Sequence, residues 1–352
     1  MRAAAILVLM LWAWASVALA KSHRSAPPPP QRTWRVPLTP DGQPDLQGVW
    51  VNNTITPFER PQELADKEFL SDVELEVLKQ RAARLFSGNG DTATGDELFL
   101  TLLRNPEVFT RPQGATGDYN QFWLNDGLVF ENRTSQIVDP RNGRLPPLTA
   151  EGARKVADVT RERREHPADG PESLLPSERC LTFGTARVGW LMARNNSFYR
   201  IVQTRNHVVL YSELIHEARV IPLDTRPGLA EGMRFWNGDA RGHWNGTTLV
   251  IDTTNFSSKT PFQPAREVPV RGEHVHLTER LTPVDANTLR YEVTVDDPTT
   301  WTAPWTAVTT WKRSADRMFE YACHEANYSL VGILRGARAE EAAAASSRTP
   351  IR

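Results

Sequence analysis

Beyond Val188 the chain reads as one strand-forming segment after another, separated by short polar turns rather than helices. Phe198–Thr204 and His207–Leu214 flank Arg205-Asn206, and His216–Leu223 continues the run. His243–Ile251 holds Asn245-Gly246 between strand-formers, the strongest short-range hairpin signal. His274–Thr282 and Thr288–Val295 flank Asp285-Ala286-Asn287, and Thr306–Lys312 and Met318–Cys323 flank a further polar turn. Strands joined this closely pair as antiparallel neighbours. The expectation is a mainly β fold, an antiparallel meander closing into a lipocalin-like barrel or a sandwich, with a few peripheral helices. The 26 prolines and 21 glycines, many of them turn formers, agree with it.

The N-terminal half is different. Arg2 followed by the apolar stretch Ala3–Leu19, and Ala18-Leu19-Ala20 before Lys21, have the form of a cleavable signal peptide over 1–20. Residues 21–33 contain Pro27-Pro28-Pro29-Pro30, which favours an extended polyproline tether. A single β-rich domain is expected over 34–336, with a helical elaboration at about 60–170 and a helical tail over 337–352. Within the domain, Leu46–Val51 reads as the first strand, and its Gly48-Val49-Trp50 resembles the Gly-x-Trp pattern at the first strand of lipocalin-like barrels, where the Trp plugs one end. Ser71-Asp72-Val73-Glu74 is a capping box opening a helix that Gly88-Asn89-Gly90 should end. Phe130–Val138 reads as a strand, Asp139–Gly143 as a turn, and Thr149 as the cap of a charged helix ending before Pro167.

Formal net charge is −1, with 41 basic and 42 acidic residues, so nothing favours nucleic acid or an anionic membrane surface. No segment after the leader is long and apolar enough for a stable span. Export to a periplasmic or extracellular compartment is expected. There the two cysteines, Cys180 and Cys323, can form a disulfide or stay as buried thiols.

The blocks Asn132-Arg133-Thr134-Ser135, Ile201–Thr204, Ile215–Arg219, Gly238–Gly242, Thr253–Phe256, Asp296–Trp301 and Tyr321–Tyr328 resemble a large group of uncharacterised exported proteins of soil and environmental bacteria. The resemblance covers most of the mature chain. It implies export and one long domain, and it assigns no activity and no catalytic residue.

Candidate site residues concentrate between Gly232 and Tyr328. Tyr291, Val293 and Val295 alternate with Arg290, Glu292, Thr294 and Asp296, the pattern of a half-buried strand. Trp301 and Trp305 sit in a Thr/Pro loop, where indoles either stack on a ligand or plug the end of a barrel. In a meander, Met318–Cys323 returns beside Thr306–Lys312. That return would group Asp296, Asp297, Trp301, Trp305, His324, Glu325 and Asn327 at one end. Asp239 and Arg241 form either an ion pair that fixes a ligand or a turn salt bridge. His216-Glu217 and His324-Glu325 cannot chelate a metal as adjacent strand residues, and neither His-Glu-x-x-His nor Cys-x-x-Cys occurs. No metal and no cofactor is expected. The sequence also lacks a Gly-x-Ser-x-Gly element, a phosphate-cradling glycine loop and a dinucleotide fingerprint.

Two functions fit these residues. One is an exported barrel binding a small aromatic, apolar or carbohydrate ligand through Trp301, Trp305, Asp297, Asn327, Asp239 and Arg241. The other is a cofactor-independent lyase, isomerase or hydrolase, in which His324 or His216 moves a proton and Asp296, Asp297 or Glu325 orients it.

Overall fold

A computed structural model describes residues 34–85, 96–104, 128–184, 196–224, 226–230, 232–262, 270–325 and 327–347. The expected signal peptide over 1–20, the expected tether over 21–33 and Gly88-Asn89-Gly90 lie outside them. The chain divides into Met1–Arg35 and Val36–Arg352, and every described helix and strand belongs to the second unit.

In chain order the elements are β1 (Gly48–Val51), α1 (Asp72–Leu85), α2 (Asp96–Arg104), β2 (Ile137–Asp139), α3 (Ala150–Glu165), β3 (Phe198–Gln203), β4 (His207–Ser212), β5 (Ala218–Pro222), β6 (Asp239–Asn245), β7 (Thr248–Thr254), β8 (Pro261–Phe262), β9 (Val270–Arg271), β10 (His276–Asp285), β11 (Thr288–Asp296), β12 (Trp305–Ser314) and α4 (Tyr328–Ser347). Ten strands form one antiparallel sheet in the order β5-β4-β3-β1-β12-β11-β10-β7-β6, with β2 also on β12. β8 and β9 pair separately. The hydrogen-bonded path ends at β5 and β6 and is not closed into a barrel.

The hairpins follow their turn chemistry. Asn245 pairs with Thr248, leaving Gly246-Thr247 as a two-residue loop with Gly246 at φ +59. A positive φ at the first loop position suits a type II′ turn, which matches the twist of the flanking strands. Asp285 pairs with Thr288 around Ala286-Asn287, and Asp285 Oδ1 accepts the Asn287 amide at 2.8 Å. Ser71 and Glu74 exchange the reciprocal bonds of a capping box, with Ser71 N donating to Glu74 at 2.8 Å. Thr149 Oγ1 accepts from Gly152 N at 2.9 Å and starts α3.

Alternation decides the inward face. Leu289, Tyr291, Val293 and Val295 of β11 are buried, whereas Arg290 and Asp296 are exposed. Leu277 and Leu281 of β10, Leu249 and Ile251 of β7, and Trp305, Ala307 and Trp311 of β12 join the same core. Trp311 stacks between Tyr199, at 4.3 Å and 10°, and Tyr291, at 4.8 Å and 21°. Trp50 is buried, and the Arg313 guanidinium lies 4.4 Å from its ring centroid. Gly48 makes that possible, because a Cβ there would stand 2.3 Å from Arg313 Nη1. A second core joins α1 and α2 through Leu78, Ala82, Leu98, Phe99 and Leu102, with Ile55 and Leu70.

Three expectations are corrected. Phe130–Val138 forms a strand only from Ile137. Its buried Thr134 and Gln136 spend their polar groups on irregular neighbours instead, Arg60 Nε donating to Thr134 and Gln136 Nε2 to Thr56 O. Met318–Cys323 is not a strand, because β12 already has β11 on one side and β1 on the other, leaving no edge to pair with. The C-terminal helix begins at Tyr328 rather than Ala337, capped by Asn327 Oδ1, which accepts from Leu330 N at 3.3 Å.

One ion pair crosses the concave face. Arg219 of β5 donates Nη1 and Nη2 to the two Glu279 oxygens of β10 at 3.0 and 2.6 Å, and Nη2 to Thr253 of β7 at 3.2 Å. Tyr291 hydroxyl donates to Glu279 at 2.7 Å. One end strand is thereby tied to strands near the other end. Gly242 of β6 completes the approach: a Cβ there would stand 2.8 Å from Leu223 and 2.9 Å from Ile221. Arg219→Met should destabilise the fold by about 3–5 kcal/mol, because it leaves Glu279 charged and buried, while adding Glu279→Leu should recover most of that loss. Chemical denaturation of the two variants checks this, and an additive or larger loss in the double variant would contradict it.

Candidate functional site

The residues expected at one sheet end separate into two places. Trp301 and Trp305 are 2% and 0% exposed, packed edge to face at 5.7 Å, with Phe58 at 5.8 Å from Trp305. They fill the core and do not line a mouth. Indoles there replace water with apolar contacts, which a ligand-stacking surface would leave open. Asp297 is buried and folds the turn before them: Oδ1 accepts from Thr299 N and Oγ1 at 3.0 and 2.7 Å, and Oδ2 from Thr300 Oγ1 at 2.5 Å. Asp296 is exposed on the opposite face.

His324 and Glu325 are exposed in a turn elsewhere. Cys180 and Cys323 form a disulfide with a Cα separation of 5.8 Å. Asn327 Nδ2 donates to Glu178 O at 2.8 Å, so its amide caps α4 and holds the 178–180 strip. His216, exposed, lies 3.2 Å through Nδ1 from Tyr321 O. His216 thus meets the segment that carries His324, but neither ring lies with Asp296, Trp301 or Trp305 in a shared cavity. Asp239 and Arg241 pair at 3.1 Å, and Asp239 also accepts from Leu229 N at 2.9 Å. Ala240 and Gly242 take the inward positions of β6, so this pair is a local brace on the outer face.

Inside the sheet the polar chemistry gathers at the β4–β5 connection. Ile215 and His216 are left-handed, at φ 58 and φ 45. For a β-branched residue this conformation is strained. The strained pair turns Glu213 and Glu217 inward, where both are buried. Ser212, Glu217, Arg219, Glu279, Tyr199, Leu210, Tyr291 and Trp311 line a cavity of about 20 Å³, enough for roughly one water. Arg219 Nε, Ser212 Oγ and Trp311 Nε1 lack hydrogen-bond partners among the described residues. Burial opposes the Arg219 charge, but the Glu279 carboxylate and its hydrogen bonds outweigh that and hold the guanidinium protonated. Among the described residues no group of three His, Cys, Asp or Glu is placed to hold a metal ion, and no helix is long and apolar enough to cross a membrane.

Space of ligand size lies outside the sheet. A groove of about 410 Å³ runs between the second half of α3, the Glu172–Arg179 strip, Trp236 and Ser258–Thr260. Its floor is Val159, Leu174, Leu175, Pro176 and Trp236, all buried or half-buried. Its rim carries Glu162, Arg163, His166, Glu172 and Lys259, with Arg179 half-buried below. The tryptophan turn sets one wall. Thr149 N donates to Thr300 O at 2.9 Å, Thr149 Oγ1 to Thr299 O at 2.7 Å, and Lys155 Nζ to Thr299 Oγ1 at 2.9 Å. Gly152 allows this docking, since a Cβ would stand 2.3 Å from Thr300 O. The disulfide fixes the second wall at Cys180, and Thr260 Oγ1 donates to Trp236 O at 2.9 Å in the third. The groove draws on residues that carry no motif. The Asn245-Gly246 type of local signal has no counterpart at Val159 or Trp236, which meet only in space.

No family model, curated protein or solved structure matches the chain.

Glu213 accepts from Phe319 N at 3.1 Å, and burial raises its pKa above the ordinary glutamate value. A raised folded-state pKa gives stability that is complete below the unfolded value, near pH 4.5, and is lost as pH rises through the folded value. Glu213→Gln keeps the acceptor and removes the titration. Thermal melts should match wild type near pH 4, and the variant should be the more stable at pH 8. Equal melting temperatures at both pH values would contradict the assignment.

Proposed function

We propose that the protein is an exported binder of small organic molecules and that its ligand lies in the outer groove beside Trp236. The observation carrying this reading is a cavity of about 410 Å³ with an indole and an aliphatic floor, a size within the usual range of small-molecule sites. A flat aromatic ligand suits a half-buried indole flanked by Leu174 and Val159. Export is supported by the Met1–Ala20 leader pattern and by a disulfide, which persists in oxidising compartments. Closure of the curled sheet into a lipocalin-like barrel belongs to the same proposal, supported by the close approach of Gly242 to Ile221 and Leu223.

Binding is favoured over acid–base catalysis as a lyase, isomerase or hydrolase. The charged internal cavity beside Glu217 is about 20 Å³, which takes a water and leaves no room for a substrate. His216 and His324, the proton carriers such an enzyme would use, are exposed.

Isothermal titration with 2-naphthamide tests the reading. Trp236→Leu should weaken binding by roughly tenfold through loss of the aromatic contact. Trp301→Phe, a change in the core, should leave the affinity as in wild type. Unaltered affinity in Trp236→Leu would overturn the site.

A further inference from the structure

We infer that the ligand of this groove is an aromatic carboxylate rather than a neutral molecule, an inference that rests on the binding reading above. Three cations line the groove: Arg163 on α3, Arg179 beside the disulfide, and Lys259 before β8. None of the three has a carboxylate partner among the described residues. Other guanidinium groups of this chain are paired, as Arg161 is with Asp158 at 2.6 Å and Arg338 with Glu341 at 2.5 Å, while Arg81, Arg234 and Arg313 spend theirs on backbone carbonyls. His166, also on the rim, is taken by Asp169 at 2.7 Å. The opposing charges within the groove are Glu162 and Glu172, both exposed. Among the described residues that line it, three cations against two carboxylates give the groove a positive balance.

Position matters more than the count. Arg179 is half-buried, and its backbone is held on both sides. Arg179 N donates to Leu175 O at 3.1 Å, and the next residue is the bridged Cys180. The fixed strip sets where the Arg179 side chain starts, and its planar guanidinium fork matches a carboxylate. The same groove is lined by the apolar Val159, Leu174, Leu175, Pro176 and Trp236. Its lining therefore offers contacts for both a ring and an acid. A neutral sugar would leave the three cations without a counter-charge, and a bare inorganic anion would leave the apolar floor wet.

The test compares 2-naphthoate with its neutral amide isostere, 2-naphthamide, on the full mature chain by isothermal titration. Naphthoate should bind about tenfold tighter at low salt, with the advantage shrinking as salt is raised. The Arg163→Gln/Arg179→Gln/Lys259→Gln variant should bind both compounds with the naphthamide affinity of wild type. If that variant does not fold, Arg163→Gln/Lys259→Gln, both at exposed positions, should still reduce the naphthoate advantage severalfold. Equal affinities for acid and amide in wild type would overturn the anion inference while leaving the groove reading intact. An acid preference that survives the cation variants would overturn the assignment to these residues. Binding of neither compound would remove the groove reading and this inference with it.

Discussion

The buried contact between Arg219 and Glu279 ties one end of the ten-stranded sheet to strands near its other end. β5 stands at one end of the hydrogen-bonded path, and β10 and β7 lie near the other. Without a cross-link an open sheet of this width would expose one apolar face. The guanidinium meets both Glu279 oxygens and Thr253, and Tyr291 donates its hydroxyl to the same carboxylate. A charge pair taken out of water repays its desolvation only when hydrogen bonds such as these accompany it, and here Arg219 Nε alone of the guanidinium nitrogens lacks a partner among the described residues. Its geometry also sets the register of the concave face, since Leu277 and Leu281 flank Glu279 on the inward side of β10.

Filling the concave face has a consequence for function. Trp50, Trp305, Trp311 and Tyr291 occupy space that a ligand would need, and what remains beside Glu217 is about 20 Å³. Ligand-sized space is found where peripheral elements lean on the sheet. The Asp297 turn anchors α3, the disulfide anchors the Glu178–Cys180 strip, and Thr260 holds Trp236. Residues expected to touch a ligand thus become the fixtures that place other residues around one.

Much of the sheet was legible because its signals are local. Alternation over Arg290–Asp296 marked a half-buried strand without deciding which of its faces points inward, and Asp285-Ala286-Asn287 and Asn245-Gly246 marked hairpins where they occur. Both helix starts at Ser71 and Thr149 were legible for the same reason, since a cap acts within one turn. The site was not. A tryptophan in a Thr/Pro loop reads alike whether it faces solvent or core, and only the packing of Trp305 against Trp301 and Phe58 decides. The missing return strand depended on β1 pairing with β12, a contact between Trp50 and Arg313 that no local pattern announces. The left-handed Ile215 and His216 look like part of a continuous strand in sequence, because β-branched residues carry strand propensity and no mark of strain.

In the proposed function the ligand lies in the outer groove and not within the sheet. Crystals soaked with 6-bromo-2-naphthoate would locate the bound ring by the anomalous signal of bromine. The account predicts one strong peak against Trp236, between α3 and the Glu172–Arg179 strip. A peak inside the sheet beside Tyr199, Tyr291 and Trp311, with the groove empty, would contradict it.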